Sequence, residues 1–178
     1  ELGWVAGTKF PLLALDSKDD PLAKDDAEQK LKSLGIELPP APSPVANYVP
    51  TLISSNLLYI SGQISRAADG TIVMGSVGQD LTVEEGQAAA RLCALNILAQ
   101  AKSSLGSLNR INQVLRITGY VNSHSGFGDH PKVINGASDL LVQILNDKGR
   151  HTRAAIGVSG LPSNSAVEID AIMAISPT

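Results

Sequence analysis

The sequence predicts an α+β domain in which a β-sheet carries two long helices on one of its faces. Two observations lead to this fold class. The predicted elements follow one another as three strands, a helix, a strand, a helix and two strands. The composition is that of an ordinary globular domain, because 43% of the 178 residues are hydrophobic and 17% are charged. A chain of this length is expected to form one domain with a single core.

Residues 1–44 are predicted to form an extension that precedes the domain of residues 45–178. Residues 22–34 have leucine and alanine near helical spacing and are followed by the helix stop Gly35, so we expect a short helix there. Residues 38–44 contain four prolines, which cannot donate main-chain hydrogen bonds and predict a stiff, extended connector. The sequence leaves open whether the extension covers a sheet edge or lengthens a contact between subunits.

The strands are predicted from short apolar runs that turn residues separate. Four strands are expected at residues 48–53, 57–63, 71–74 and 111–121. The last two strands are expected within the final 27 residues. Asp69-Gly70 is typical of a hairpin turn and leads into the third of these strands.

Both long helices have recognisable ends. Thr82-Val-Glu-Glu85 has the form of a capping box and begins the first helix, which is expected to run to Leu105 and to stop at Gly106. Its core-facing residues recur at helical spacing and are Ala90, Ala94, Ile97, Ala101 and Leu105. Pro131 suits a first helical turn and begins the second helix, which is expected to end at Gly149. Since these helices can cover only one face of the sheet, the other face is expected to pack against another subunit.

Charged residues interrupt the last two strands, which are otherwise apolar. Because side chains alternate along a strand, Arg153 shares a face with the small residues Ala155 and Gly157, and Glu168 shares a face with Asp170. An isolated charge is costly to bury, so these groups must be paired, hydrated or functional. The residues alone favour two interpretations about equally. One is a set of salt bridges at a subunit interface; the other is a small-anion site in which Arg153 grips a carboxylate and Glu168 moves a proton.

Composition and motif spacing argue against several classes of function. The 14 basic residues are scattered and the net charge is −3, so nucleic-acid binding is not expected. No apolar run approaches the length of a membrane span, and the single Cys93 excludes an internal disulfide and a cysteine zinc site. His124, His130 and His151 lack the spacing of a metal pair, so we assign them loop or capping roles, with His130 near the N-cap of the second helix. We expect no metal and a cytoplasmic location.

Several motifs in one order resemble the RidA (YjgF/YER057c/UK114) family, and within it the longer chorismate-mutase-like, endoribonuclease L-PSP branch. They are Asn47-Tyr-Val49, Tyr59-Ile-Ser-Gly-Gln63, the pattern R-x-x-x-x-V-x-x-L-P from residue 153 and V-E-I-x-A-I from residue 167. The resemblance covers roughly residues 45 to 175. It implies a chorismate-mutase-like fold, a sheet in which strand 111–121 lies between the last two strands, and a homotrimer with binding clefts between subunits.

The resemblance also implies roles for individual residues. Arg153 matches the arginine that binds the substrate carboxylate, and Glu168 matches the acid that positions the attacking water. The remaining cleft positions of the family are matched by Tyr48, Gly62, Phe127 and Asn135. Two positions depart from the family pattern, since Ala155 replaces a cysteine and Gly157 replaces an acid, and residues 124–132 are longer than their usual counterpart.

The chemistry that the resemblance implies is the hydrolysis of a small enamine or imine acid, such as 2-aminoacrylate, to a 2-oxo acid and ammonia. Holding the carboxylate and positioning one water would suffice, so no organic cofactor or metal is expected. The alternative is a chaperone-like protein, or one that binds small carboxylate metabolites without turnover, which the departures at positions 155 and 157 favour. The endoribonuclease activity that family labels suggest is the weakest interpretation, because the chain is acidic and has few aromatic residues.

Overall fold

The computed structural model describes residues 26–44 and 46–177 and confirms the α+β class. Its helices and strands are α1 (Ala27–Ser33), β1 (Thr51–Ser54), β2 (Leu57–Ile64), α2 (Val83–Leu105), β3 (Ile111–Asn122), α3 (His130–Leu145), β4 (Thr152–Val158) and β5 (Val167–Ile175). Short 3-10 helices occupy Leu108–Arg110, Asn146–Gly149 and Pro162–Asn164.

The five strands form one sheet in the order β1-β2-β5-β3-β4. The pairs are antiparallel except for β3 and β4, which run parallel. Although β4 and β5 are joined by a short link, they do not pair with each other, because β3 lies between them as the resemblance implied. Within the described residues, the sheet therefore ends at β1 on one side and at β4 on the other.

Both long helices pack on the same face of the sheet, as predicted. Along β5 every second residue is buried beneath them, starting at Val167 and Ile169, while Glu168 and Asp170 point to the other face. All five predicted core-facing residues of α2 are buried. Burial on α2 also extends to Asn96, whose amide donates to main-chain carbonyls at the end of β2, and to Gln100, whose amide donates to the Pro42 carbonyl of the N-terminal segment.

The predicted helix ends are largely confirmed. The Thr82 hydroxyl accepts a hydrogen bond from the Glu85 N–H at 3.1 Å, and the Glu85 carboxylate accepts one from the Thr82 N–H at 2.7 Å. Gly106 ends α2 with a φ of 79°, a left-handed conformation that glycine adopts without strain. Pro131 lies in the first turn of α3, but α3 ends at Leu145 and the chain continues to Gly149 as a 3-10 helix.

The predicted strand at residues 71–74 is wrong. The Asp69-Gly70 turn is present, yet the segment after it makes only isolated bridges, through Ile72 to Arg66 and through Met74 to Ser165. The reason is that β2 ends at Ile64, where the Arg66 N–H bonds back to the Ile64 carbonyl. The segment therefore has no continuous strand beside it, and single main-chain bonds join Val73 to Ser65 and to Ala166. The first strand is also shorter than predicted and begins at residue 51, after Pro50, which has no N–H to donate.

The N-terminal segment packs against the domain. Helix α1 buries Ala27 and Leu31 in the common core, and the carboxylate of its N-cap Asp26 accepts the Glu28 and Gln29 N–H groups. Residues 1–25, which include the first part of the predicted helix at 22–34, lie outside the described residues. The proline-rich connector 38–44 forms neither helix nor strand. None of the helices in the described ranges is long and apolar enough to cross a membrane.

The face of the sheet opposite the helices carries apolar side chains that nothing in the described chain covers. Leu52 on β1 is 58% exposed, Tyr59 on β2 is 39% exposed and Ile156 on β4 is 45% exposed. The register of the sheet places these side chains on the same face as Glu168 and Tyr120.

Candidate functional site

Glu168 lies near the start of β5 on the sheet face away from the helices, opposite Tyr120 of β3 and Ile64 of β2. The pairing of β2 with β5 is irregular between Ile60 and Gln63, and this irregularity contains Gly62. A side chain at Gly62 would overlap the Glu168 carboxylate, so the absence of a Cβ there makes room for it. No described residue donates a hydrogen bond or pairs a cation with that carboxylate.

The surroundings of Glu168 change its acidity. Half-burial and then the nearby Asp170 carboxylate raise the pKa of Glu168 above the ordinary glutamate value. Asp170 in turn accepts a hydrogen bond from the Tyr120 hydroxyl at 3.2 Å. A raised pKa makes the ionised carboxylate a stronger base, which suits general acid–base chemistry.

A cavity of about 670 Å³ opens around this carboxylate. Tyr48, Gly62 and Glu168, three of the residues that the sequence places in the cleft, all line it. The loop that bears Tyr48 is attached to β2, because the Ser61 hydroxyl donates to the Val49 carbonyl at 2.8 Å and the Ser61 N–H donates to the Pro50 carbonyl at 3.0 Å. The structure therefore brings these three predicted residues together within one chain.

Arg153 lies elsewhere, on the helix side of the edge strand β4. Its guanidinium donates to the Ser138 hydroxyl at 3.0 Å and to the Pro131 carbonyl at 3.1 Å, both on α3. Asn135 lies on the same face of that helix, four residues after Pro131 and three before Ser138. The guanidinium is only half-buried, and two bonds leave three of its five N–H groups available.

Arg153 and Glu168 of one chain cannot bind the same small molecule. Their side chains point to opposite faces of the sheet, and β3 lies between their strands. Glu168 is level with Ile156, three residues along β4 from Arg153. Two strand spacings and three residue rises therefore separate the two Cα atoms by roughly 14 Å.

Phe127 lines a second cavity of about 510 Å³ where β3 and β4 end and α3 begins. Its ring makes edge contacts with the rings of His124 and His130, at centroid distances of 5.9 and 5.1 Å. His130 is the first residue of α3 rather than its N-cap, which is Asp129, and its Nε2 lies 3.1 Å from the Ser123 hydroxyl. The ring fills the space that a side chain at position 157 would occupy, which explains the glycine there.

Comparison with known proteins places this chain in a family. A sequence model of the family described as "YjgF/chorismate mutase-like, putative endoribonuclease" matches residues 28–173, most of the chain. The chain belongs to this family.

Similar members include proteins with and without a stated activity. Protein TCP17 of Trypanosoma cruzi is 43% identical over 147 residues, which are 82% of this chain and 92% of that protein. The solved structure of a protein described as a putative endoribonuclease from Shewanella oneidensis is 38% identical, with a TM-score of 0.81 over 84% of this chain and 99% of its own. RidA from an Antarctic Psychrobacter is 27% identical, with a TM-score of 0.55 over 76% of this chain and 94% of its own.

The cavity of this RidA/YjgF-family chain also contains residues that the sequence did not single out. Pro42, Ser43 and Pro44 of the connector form one wall, held in part by a hydrogen bond from Gln100 to the Pro42 carbonyl. Arg66 lines the cavity three residues after the Ser-Gly-Gln motif. Because Arg66 follows that motif so closely, the sequence could have indicated that it belongs to the site. Nothing in the sequence indicates where the connector folds back.

Two further side chains with reactive groups, Cys93 and His151, are fully or partly buried in the fold. Cys93 is fully buried on α2, and this burial raises the pKa of its thiol well above the ordinary value. Burial lowers the pKa of His151, whose ring contacts the Ser138 hydroxyl and the Gly149 carbonyl. Within the described ranges no group of three or more histidine, cysteine or acidic residues is arranged to hold a metal ion.

Proposed function

We propose that this protein hydrolyses small enamine or imine acids, such as 2-aminoacrylate, to 2-oxo acids and ammonia in a cleft between two subunits of a homotrimer. The observation that supports it is the carboxylate of Glu168, which has a raised pKa and no cation partner among the described residues and lies in a cavity with Tyr48 and Gly62. The cleft needs a second subunit because Arg153 of the same chain points away from this cavity.

The reaction needs few groups. The enamine first becomes its imine tautomer, whose carboxylate the Arg153 guanidinium of a neighbouring subunit grips in a bidentate manner. Glu168 takes one proton from a water as its oxygen bonds to the imine carbon, and gives that proton to nitrogen, which forms a carbinolamine. Glu168 then takes the hydroxyl proton and passes it to nitrogen as the C=O bond forms, the C–N bond breaks and ammonia leaves. Proximity and one proton shuttle supply the catalysis, without an oxidant or a reductant.

The exposed face of the sheet supports the trimer. A face that carries Leu52, Tyr59 and Ile156 in solvent is unfavourable for an isolated chain and is stabilised when sheets of several subunits pack together. Strand β4, which bears Arg153, is an edge strand, so its residues can reach a neighbouring subunit.

The activity is tested by generating 2-aminoacrylate in situ and following its loss. We expect the native protein to accelerate the loss, Arg153→Ala to abolish the acceleration and Arg153→Lys to restore little of it, because lysine cannot grip a carboxylate bidentately. Arg150→Ala is the matched control, since Arg150 pairs with Asp147 at the exposed surface. No acceleration by the native protein would refute the proposal.

Mixed oligomers test whether the two residues come from different subunits. Arg153→Ala and Glu168→Gln chains are each expected to be inactive, but after refolding together about a quarter of the clefts would pair a native arginine with a native glutamate. Activity in the mixture supports the cleft between subunits. An inactive mixture, with sedimentation showing that mixed trimers have formed, would refute it.

Binding without turnover is the second candidate function. It is favoured by Ala155 and Gly157, which remove the thiol and the acid that the family pattern has beside the arginine. It predicts that a small carboxylate binds to the native protein more tightly than to Arg153→Ala, while 2-aminoacrylate decays at the same rate with either protein. Calorimetry together with the decay assay separates the two functions.

A further inference from the structure

Arg66 lines the cavity that contains Glu168, Tyr48 and Gly62. The side chain is half-buried, and no described residue accepts a hydrogen bond from it or pairs a carboxylate with it. Arg110, by contrast, donates to the carbonyls of Leu105 and Ser176. A partly desolvated guanidinium without an acceptor among the described residues is unfavourable for this part of the fold alone, which suggests that its acceptor comes from a ligand.

The main chain that bears Arg66 is held in place. The Asn96 amide, buried on α2, donates to the Ile64 carbonyl at 3.3 Å and to the Arg66 carbonyl at 2.9 Å. The Arg66 N–H donates to the Ile64 carbonyl at 2.8 Å, and the segment is bridged to Ile72. The fold therefore fixes the backbone of this residue on one wall of the cavity, and its charged end has no partner in the ranges 26–44 and 46–177.

We propose that Arg66 binds a second anionic group of the substrate, so that the site prefers imines of dicarboxylic 2-amino acids. This inference rests on the proposed function. In that scheme Arg153 of a neighbouring subunit binds the carboxylate next to the imine carbon, and Glu168 takes a proton from the water that attacks this carbon. Arg66 then holds the distal carboxylate in the same bidentate manner.

The size of the cavity agrees with this substrate class. Its volume of about 670 Å³ far exceeds what a three-carbon acid fills, and it belongs to the range typical of sites for larger metabolites. The connector at residues 42–44 closes one wall of the cavity, so a longer substrate would contact it. A substrate with one carboxylate would leave the guanidinium of Arg66 bonded to water alone.

The test uses two imines that differ only in the distal carboxylate. An amino-acid oxidase produces them in situ from glutamate and from norvaline, which have carbon chains of equal length. We expect the native protein to have the higher kcat/KM for the glutamate-derived imine. Arg66→Gln is expected to lower that kcat/KM by about 10- to 100-fold, the effect of losing a hydrogen bond to a charged group, and to leave the other imine unaffected. Arg91→Gln is the control of equal charge, because Arg91 contacts Gln143 between α2 and α3.

A binding measurement keeps the inference separate from the proposed function. Calorimetry compares 2-oxoglutarate with 2-oxopentanoate, the stable products of the two reactions. We expect the dicarboxylate to bind more tightly, and Arg66→Gln to remove the difference. If the native protein hydrolyses both imines and Arg66→Gln slows them equally, the inference is wrong and the proposed function stands. If neither these imines nor 2-aminoacrylate is hydrolysed, the proposed function fails. Equal affinity of the native protein for the two oxo acids would overturn the inference by itself.

Discussion

The contact between Gly62 and Glu168 makes a direct prediction for Gly62→Ala. A Cβ at this position would overlap Oε1 of Glu168 and lie 2.9 Å from its carboxyl carbon. The backbone of Gly62 does not have a positive φ, so alanine brings no strain of its own. The methyl group and the carboxylate cannot occupy their places together, and the carboxylate is the one that can move, because it is the end of a flexible side chain.

The size of the effect follows from ordinary contact distances. Nonbonded carbon atoms rest about 3.5–4.0 Å apart, so the carboxyl carbon must retreat by roughly 0.6–1 Å and the oxygen beyond it by more. When a catalytic group is displaced by about 1 Å, the reaction rate falls by on the order of 100-fold. The rotamer change costs only about 1 kcal/mol in stability, and the smaller entropy of the unfolded alanine chain offsets part of it.

Gly62→Ala should therefore lose about 100-fold in kcat for 2-aminoacrylate while its melting temperature stays close to that of the native protein. Gly160→Ala is the matched control, since a Cβ there meets nothing within 4 Å and the φ of Gly160 is not positive. The reasoning is refuted if Gly62→Ala keeps full activity, or if Gly160→Ala loses as much.

Three further predictions concern packing and acidity. A Cβ at Gly136 would lie 2.8 Å from the carbonyl carbon of Gln87, and this main-chain atom cannot rotate out of the way as a side chain can. Gly136→Ala should therefore lower the free energy of unfolding, measured by urea titration, by about 3 kcal/mol. An unchanged urea midpoint would contradict the close approach of α2 and α3. Asn96→Ala removes two hydrogen bonds to carbonyls at the end of β2 and should cost about 1–3 kcal/mol by the same measurement; no loss of stability would show that these bonds are not needed. Glu168 must be ionised to accept a proton, so activity should fall as the pH drops through its raised pKa. Asp170→Asn removes a neighbouring negative charge and should move the acid limb of the pH–activity profile to lower pH. An acid limb that stays in place would contradict the electrostatic coupling between Asp170 and Glu168.

Much of the fold could be predicted from the sequence, because local residues determine local structure. The capping box that begins at Thr82 and the glycine stop at Gly106 determine where α2 begins and ends, because each bonds only to the adjacent turn of the helix. Alternation along β5 correctly separates the charged face from the core face. The strand predicted at residues 71–74 does not form because its hairpin partner β2 ends at Ile64, which leaves only isolated bridges.

The types of residue in the candidate site were also predictable, but their arrangement was not. The sequence by itself determined a charged residue on each of the last two strands, Arg153 and Glu168, and the family resemblance predicted that both belong to one site with Gly62. Only the tertiary structure decided that Arg153 and Glu168 point to opposite faces of the sheet, and that Arg66 and the connector share a cavity with the acid. The physical reason is that strand order and cavity walls depend on contacts between residues far apart in the chain, whose alternatives local periodicity does not distinguish.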